Sequence, residues 1–149
     1  MLKKLLVILV VVGVFLAACT SKKKKENPES FNLTKVDQNV PEFSVTTIDG
    51  KTFQMSELKG KTVLLVFFST SCAPCMKEMP QIESNIWREF KSRNFVVLAI
   101  GRKHSMEELT KFNEKKGFTF LIGSDPEKKI YDLFFTKYIP RNVLVNKEG

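Results

Sequence analysis

The stretch VLLVFFSTSCAPCMKEMP, at residues 63–80, is the part of this chain that says most about its fold. It opens with a continuous apolar and β-branched run, which predicts a strand over residues 62–68 that is covered on both faces. Cys72 and Cys75 follow after a short loop. Pro74, between them, favours the first turn of a helix because proline lacks the N–H group that would be unpaired there. The stretch therefore predicts a strand, a loop and a helix, with a C-x-x-C pair where the helix begins.

The placement of the cysteine pair indicates thiol chemistry. Free N–H groups and the dipole at a helix start favour an anion, and such a site can lower a cysteine pKa from ~8.5 to between ~3.5 and ~7.5. Cys72 is therefore predicted to be the attacking thiolate, and Cys75, one turn further into the helix, the resolving thiol. Outside this pair the chain offers Cys19 and a single histidine, His104. A zinc site needs about four ligands, so no metal is predicted, and His104 is not expected to be catalytic.

Residues 1–18 have the pattern of a signal peptide. Lys3 and Lys4 form a charged n-region, an apolar run follows, and Ala17 and Ala18 provide small residues before a cleavage site. The apolar segment of about 14 residues is shorter than the ~20 that a spanning helix needs. A short uncleaved membrane anchor is the alternative.

The residues LAAC, at 16–19, resemble the lipobox of bacterial lipoproteins. The resemblance implies that Cys19 becomes the lipidated N-terminus of an extracytoplasmic protein anchored in the bacterial cell envelope. A basic patch next to a lipid strengthens attachment to anionic head groups, and four lysines supply one here: Lys22, Lys23, Lys24 and Lys25.

The net charge is concentrated at the N-terminus. The formal charge is +8, and the signal-peptide lysines together with the four tether lysines account for six of these positive charges. The remaining chain is nearly neutral, so its charge does not indicate nucleic-acid binding. Residues 19–39 are polar and charged, which predicts a lipidated basic tether and linker, and residues 40–149 are predicted to form one domain.

Strands and helices alternate along this domain. Asp49-Gly50, within an alternating pattern, predicts a β-hairpin, and a helix is expected over residues 74–93 with a kink at Pro80. Buried strands are predicted at residues 95–100 and 118–122, and a further strand at 142–146. Such alternation predicts an α/β fold with a mixed central sheet flanked by helices. The last residues, KEG, look like the start of a turn, so we expect the natural protein to continue.

Two helix starts are predicted from capping residues. Ser105 and Glu108 form a capping box that opens a helix ending near Gly117. Asp125 before Pro126 predicts an N-cap for a helix that runs through Phe134.

The active-site stretch resembles that of the thioredoxin superfamily, and most of all the anchored TlpA-like and ResA-like thiol-disulfide oxidoreductases, which carry F-W-A-T-W-C-x-P-C-x-x-E-x-P. The likeness runs from about residue 41 to residue 149 and includes an N-terminal β-hairpin extension. It implies a thioredoxin-like fold, incomplete at its C-terminus, that reduces protein disulfides. Electrons would come from a membrane thiol donor, and the Cys72–Cys75 disulfide would serve in place of a cofactor.

The resemblance also implies roles for residues around the pair. Pro140 matches the family's cis-proline, which faces the cysteines and helps to hold a substrate chain, and Ile139 would contribute backbone pairing to a bound peptide. Glu78 matches a glutamate thought to tune or relay protons, and Pro74 lies between the cysteines. The alternative for Glu78 is an ordinary helix-surface carboxylate.

Three positions depart from the family pattern. Ser71 stands where tryptophan is usual, and Ser69 stands where alanine or glycine is common. Arg141 replaces the threonine that follows the cis-proline in many relatives, which would place a cation near the pair and favour a thiolate. These departures bear on substrate preference and redox potential.

Three other functions remain open. A thiol peroxidase of the peroxiredoxin type would fit Ser69, but this chain has Leu65 where that family carries proline. An oxidant of the DsbA type would have C-P-H-C and a large helical insert, which this chain lacks. A tethered thioredoxin-fold module that binds a partner would keep its cysteines only as a structural bridge.

Overall fold

A computed structural model of the chain describes residues 26–149. Two short strands, β1 (Ser44–Thr46) and β2 (Thr52–Gln54), pair antiparallel. Asp49 and Gly50 lie in the turn between them, so the predicted hairpin is confirmed. The predicted signal peptide, the lipidation site at Cys19 and the tether lysines lie outside the described residues.

The central sheet has four strands in the order β5-β4-β3-β6. They are β3 (Thr62–Phe68), β4 (Phe95–Arg102), β5 (Leu121–Asp125) and β6 (Arg141–Val145). Strand β3 runs parallel to β4, and β4 runs parallel to β5, whereas β6 pairs antiparallel with β3. The prediction of a mixed sheet in an α/β fold is confirmed.

Helices follow β3, β4 and β5. Helix α1 (Ala73–Gln81) continues through a π-helical segment, Ile82–Trp87, into a last turn, Arg88–Phe90. Helix α2 is Met106–Lys116, helix α3 is Tyr131–Phe134, and 3-10 turns lie at Pro28–Phe31 and Met55–Leu58. The π-helical segment begins two residues after Pro80, which has no N–H to donate within the helix.

The capping box of α2 forms as predicted. Glu108 donates its backbone N–H to Ser105 Oγ at 3.2 Å, and Ser105 donates its own to Glu108 Oε2 at 2.8 Å. The helix ends at Gly117, whose φ of 70° places it in the left-handed region that favours glycine.

The sheet is buried on both faces, as the apolar run of β3 predicts. Alternate residues of β3 enter opposite cores: Leu65 and Phe67 pack with Tyr131 and Phe134 on one face, and Phe68 packs with Met79 of α1 on the other. All of these side chains are essentially inaccessible to solvent. Burial on both faces holds β3 rigidly, and the loop that carries the cysteines leaves its C-terminal end.

The region around Asp125 differs from the prediction. The strand predicted at residues 118–122 lies at Leu121–Asp125, so Asp125 ends β5 and does not cap the turn that follows directly. Its buried carboxylate accepts the backbone N–H groups of Ile130 and Tyr131, at 3.1 and 2.9 Å. The predicted helix therefore reduces to α3, because the carboxylate satisfies N–H groups five and six residues away and not those of the first turn.

The described end of the predicted linker contacts the domain. Leu33 donates its N–H to the carbonyl of Phe134 at 2.8 Å, and Thr136 donates to the carbonyl of Phe31 at 3.0 Å. In residues 26–149, helices are too short or too polar to cross a membrane.

A buried carboxylate in the π-helical segment binds the residues that lead into β5. Glu83, 6% exposed, accepts hydrogen bonds from the backbone N–H and hydroxyl of Thr119, at 2.9 and 2.8 Å, and pairs with Arg88 at 3.4 Å. Burial opposes ionisation of Glu83, but these bonds outweigh it, so the pKa of Glu83 is lowered. Trp87 also donates to Thr119 Oγ1 and packs at the edge of the second core.

We expect Glu83→Gln to lower the free energy of unfolding at pH 7 by about 1–3 kcal/mol, because buried donors lose a charged acceptor. A lowered pKa gives stability that is fully present above the unfolded value of about 4.3 and is lost as pH falls through the folded value. The difference between wild type and variant should therefore shrink below about pH 4. Urea unfolding from pH 7 to pH 3 measures it, with Glu89→Gln, an exposed carboxylate on the same helix, as the control. If the difference in unfolding free energy between wild type and Glu83→Gln does not change with pH, the ionised Glu83 carboxylate is not what stabilises the fold here.

Candidate functional site

The cysteine pair lies at the N-terminus of α1, where the sequence predicts it. Cys72 is the N-cap residue, and its Sγ accepts the backbone N–H of Cys75 at 3.2 Å. The two residues form a disulfide. Cys72 is half-buried, whereas Cys75 is inaccessible to solvent. A disulfide is reduced by attack of a thiolate on one sulfur, and exposure makes the sulfur of Cys72 the reachable one.

A proline loop faces Cys72 across the end of the sheet. The Ile139–Pro140 peptide bond is cis, as the family resemblance implies. Cys72 Sγ lies 3.8 Å from the carbonyl oxygen of Ile139. Strand β6 begins immediately after this bond and pairs with β3, with Arg141 opposite Phe67. The antiparallel pairing thus brings Pro140 and the cysteine loop to the same end of the sheet.

The proline loop is tied to the core below it. The hydroxyl of Tyr131, a fully buried residue, donates to the carbonyl oxygen of Tyr138. The guanidinium of Arg102 lies 4.8 Å from the centre of the Tyr131 ring. Burial raises the pKa of Tyr131 despite the nearby cations, so its hydroxyl keeps the proton that it donates to the loop.

Glu78 lies between α1 and β6. Its Oε1 accepts a hydrogen bond from the side-chain amide of Asn142, two residues after Pro140. Its Oε2 is buried and has no hydrogen-bond partner among the residues that the structure describes. Glu78 thus links the cysteine helix to the proline strand, and its role in proton transfer stays a prediction.

Arg141 packs against an aromatic ring of the core. Its guanidinium lies 5.2 Å from the centre of the Phe135 ring, a cation–π distance. The predicted effect of this cation on the cysteine thiol stays a prediction.

The loop before Cys72 contains a contact that the sequence analysis missed. Ser71, which replaces the usual tryptophan, has its hydroxyl 3.1 Å from the hydroxyl of Ser69. Ser69 in turn lies 3.0 Å from Nε2 of His104, which also accepts the backbone N–H of Thr70 at 3.1 Å. His104 is far away in sequence, and only the parallel pairing of β3 and β4 indicates that their C-terminal ends, and the residues after them, meet.

In residues 26–149, the histidine, cysteine and carboxylate side chains form no group of three or more that could hold a metal ion.

Comparison with known proteins agrees with this geometry. The model of the AhpC/TSA family matches residues 36–149. The thiol-disulfide oxidoreductase ResA of Bacillus subtilis is 32% identical over 111 residues, which cover 74% of this chain and 62% of the relative. The chain thus spans somewhat less than two thirds of the length of this curated relative.

Two solved structures share the fold. A candidate protein disulfide isomerase from Bacteroides thetaiotaomicron has a TM-score of 0.76 at 34% identity, covering 80% of this chain and 77% of the other. A thiol:disulfide interchange protein from Chlorobium tepidum has a TM-score of 0.65 at 25% identity, covering 74% and 79%.

Proposed function

Because the chain belongs to the AhpC/TSA family, a family of thioredoxin-like proteins, we propose that it is a thiol-disulfide oxidoreductase that reduces protein disulfides. One observation carries the proposal. A half-buried Cys72 is bonded to a fully buried Cys75 at a helix N-terminus, and its sulfur lies 3.8 Å from the Ile139 carbonyl that precedes the cis-proline. The names of the similar proteins, ResA and a thiol:disulfide interchange protein, support the same reaction class.

The reaction proceeds in two exchange steps. In the reduced protein the thiolate of Cys72 attacks a substrate disulfide, forming a mixed disulfide and releasing one substrate sulfur as a thiolate. The thiolate of Cys75 then attacks Cys72 Sγ, which forms the Cys72–Cys75 disulfide and releases the second substrate sulfur. Two electrons pass to the substrate, and a donor must return them before the next cycle. No cofactor other than the cysteine pair takes part.

Residues around the pair would hold and tune this exchange. The substrate chain would lie along Ile139 and Pro140, beside Arg141. Glu78 would accept or return the proton of Cys75, because its Oε2 lies buried without a partner in the described chain. Pro74 and Ser71 border Cys72 and would modulate its potential.

The proposed location is the extracytoplasmic side of a bacterial membrane. The lipobox-like LAAC and the basic run support a lipid anchor at Cys19, with Lys22, Lys23, Lys24 and Lys25 against anionic head groups. A membrane thiol protein would then supply electrons, and protein disulfides such as those of apocytochrome c would receive them. The near-neutral remainder of the chain argues against nucleic acid as a partner.

The reduction potential of the pair tests the proposed direction. The full-length protein in detergent, equilibrated with dithiothreitol or glutathione buffers, should show a potential near or below thioredoxin's roughly −270 mV, as a reductant requires. It should also catalyse reduction of insulin by dithiothreitol. A value nearer DsbA's roughly −120 mV would overturn the reducing direction. Dithiol-dependent consumption of hydrogen peroxide without insulin reduction would favour the peroxidase, for which Ser69 is the supporting residue.

A further inference from the structure

His104 contacts the loop that leads into Cys72. It follows β4, and its side chain is 13% exposed. Its Nε2 lies 3.1 Å from the backbone nitrogen of Thr70, 3.0 Å from Ser69 Oγ and 3.3 Å from Thr70 Oγ1. His104, just after β4, thus contacts the loop that follows β3 through a single ring nitrogen.

The hydrogen-bond network assigns the proton of this ring. A backbone N–H can only donate, so Nε2 must accept the bond from Thr70 and carry no proton. The ring proton then lies on Nδ1, which is 3.5 Å from Glu108 Oε2. An imidazolium carries protons on both nitrogens and cannot accept from Thr70. The contact therefore exists only while His104 is neutral.

The same loop positions Cys72. Ser69 accepts the backbone N–H of Cys72 through its carbonyl oxygen at 3.1 Å. Its hydroxyl lies 3.0 Å from His104 Nε2 and 3.4 Å from the backbone nitrogen of Ser71. Holding Ser69 and Thr70 therefore holds the turn in which Cys72 is the last residue.

We propose that neutral His104 is a positioning residue for disulfide exchange, which holds the turn at residues 69–72 so that Cys72 stays directed at the cis-proline loop. The inference rests on the proposed function, because it concerns the reactivity of the same pair. Protonation of His104 removes the acceptor of Thr70 and releases the turn, so exchange slows as His104 becomes charged.

Charged groups from three elements surround this histidine. Glu108 of α2 faces Nδ1, with its Oε2 3.5 Å away. Arg102 and Lys103 precede His104 in the chain, and the Arg102 guanidinium lies over the Tyr131 ring. Asp125, which ends β5, accepts the N–H of Lys103 through its carbonyl oxygen, while its carboxylate is engaged by the residues before α3.

Two variants separate positioning from a purely structural role. His104→Ala removes the acceptor, whereas His104→Gln offers Thr70 an amide oxygen that does not titrate. We expect His104→Ala to slow reduction of the Cys72–Cys75 disulfide by dithiothreitol at pH 8 at least about fivefold, the factor that corresponds to loss of an ordinary hydrogen bond. His104→Gln should restore most of this rate. Glu107→Gln, on the exposed face of α2, should match wild type.

The pH profile supplies the second readout, measured on the full-length protein in detergent. The ratio of wild-type to His104→Gln rates cancels the thiolate fraction of the reagent, and it should fall severalfold once the solution is acidic enough to protonate His104, because an imidazolium cannot accept from Thr70. The amide NMR signal of Thr70 should shift together with this ratio in wild type and not in His104→Gln.

The outcomes distinguish the two levels of the proposal. A wild-type pair that exchanges normally while His104→Ala matches it, or a ratio that does not change with pH, overturns the role of His104 alone. If the wild-type Cys72–Cys75 pair fails to exchange with any dithiol, the proposed function is overturned, and the positioning role is overturned with it. If His104→Ala does not fold, the ratio for His104→Gln and the Thr70 signal still decide the question.

Discussion

A Cys75→Ser variant is expected to accumulate a mixed disulfide with its substrate through Cys72, whereas Cys72→Ser is expected to form none. Cys72 is the accessible sulfur and Cys75 is inaccessible to solvent, so attack falls to Cys72 and resolution to Cys75. Insulin reduction should fall on the order of 10³-fold or more for Cys72→Ser, because loss of a nucleophile removes the whole covalent route.

Intact-protein mass spectrometry after reaction with insulin and quenching of thiols measures the adduct. Ser84→Ala, an exposed hydroxyl further along the same helical region, serves as the control and should behave like wild type. An adduct through Cys75 in the Cys72→Ser variant would reverse the two roles. If cells carrying Cys72→Ser keep the phenotype of wild type, the cysteines act only as a bridge and the binding-module hypothesis takes first place.

Phe67→Ala is expected to cause the largest loss of stability among these substitutions, about 3–5 kcal/mol in the free energy of unfolding. The Phe67 side chain is completely buried, and its ring packs within 5.2–5.8 Å of three others, those of Tyr131, Phe134 and Phe135. The substitution leaves a cavity that so many rigid rings cannot fill.

Urea unfolding measures this loss, and Phe90→Ala provides a matched control. Phe90 is 38% exposed at the end of the α1 region and has one neighbouring ring, that of Phe95, so its removal should cost clearly less than that of Phe67. Because Phe67 pairs with Arg141 in the register of β3 and β6, exchange by Phe67→Ala should also slow. Equal losses for the two variants would show that the aromatic cluster does not dominate the core.

Several elements of the fold could be predicted from short stretches of sequence. The apolar run of β3, the Asp49-Gly50 hairpin and the capping box of α2 are local patterns, and each forms where the sequence predicts it. The cysteine pair at a helix N-terminus is also local, because strand, loop, proline and spacing all lie within residues 62–81. Such features need only neighbouring residues, since a cap or a buried strand is specified by the chemistry of a few consecutive side chains.

The cis peptide bond before Pro140 is predicted from family resemblance. No local pattern in the sequence distinguishes a cis from a trans proline here, and the cis bond follows from resemblance to proteins with the same fold. The roles of Glu78, Ile139 and Arg141 in exchange remain predictions.

Contacts across the sheet could not be predicted from the sequence. The sequence predicts that Asp125 caps a helix. In the fold its carboxylate accepts the N–H groups of Ile130 and Tyr131, because the chain turns back over the end of β5. His104 precedes the capping box of α2, and no local pattern links it to the cysteine pair. It reaches Thr70 because parallel pairing places the C-terminal ends of β3 and β4 side by side. Contacts between residues 34 positions apart depend on strand order and register, which no short stretch of sequence contains.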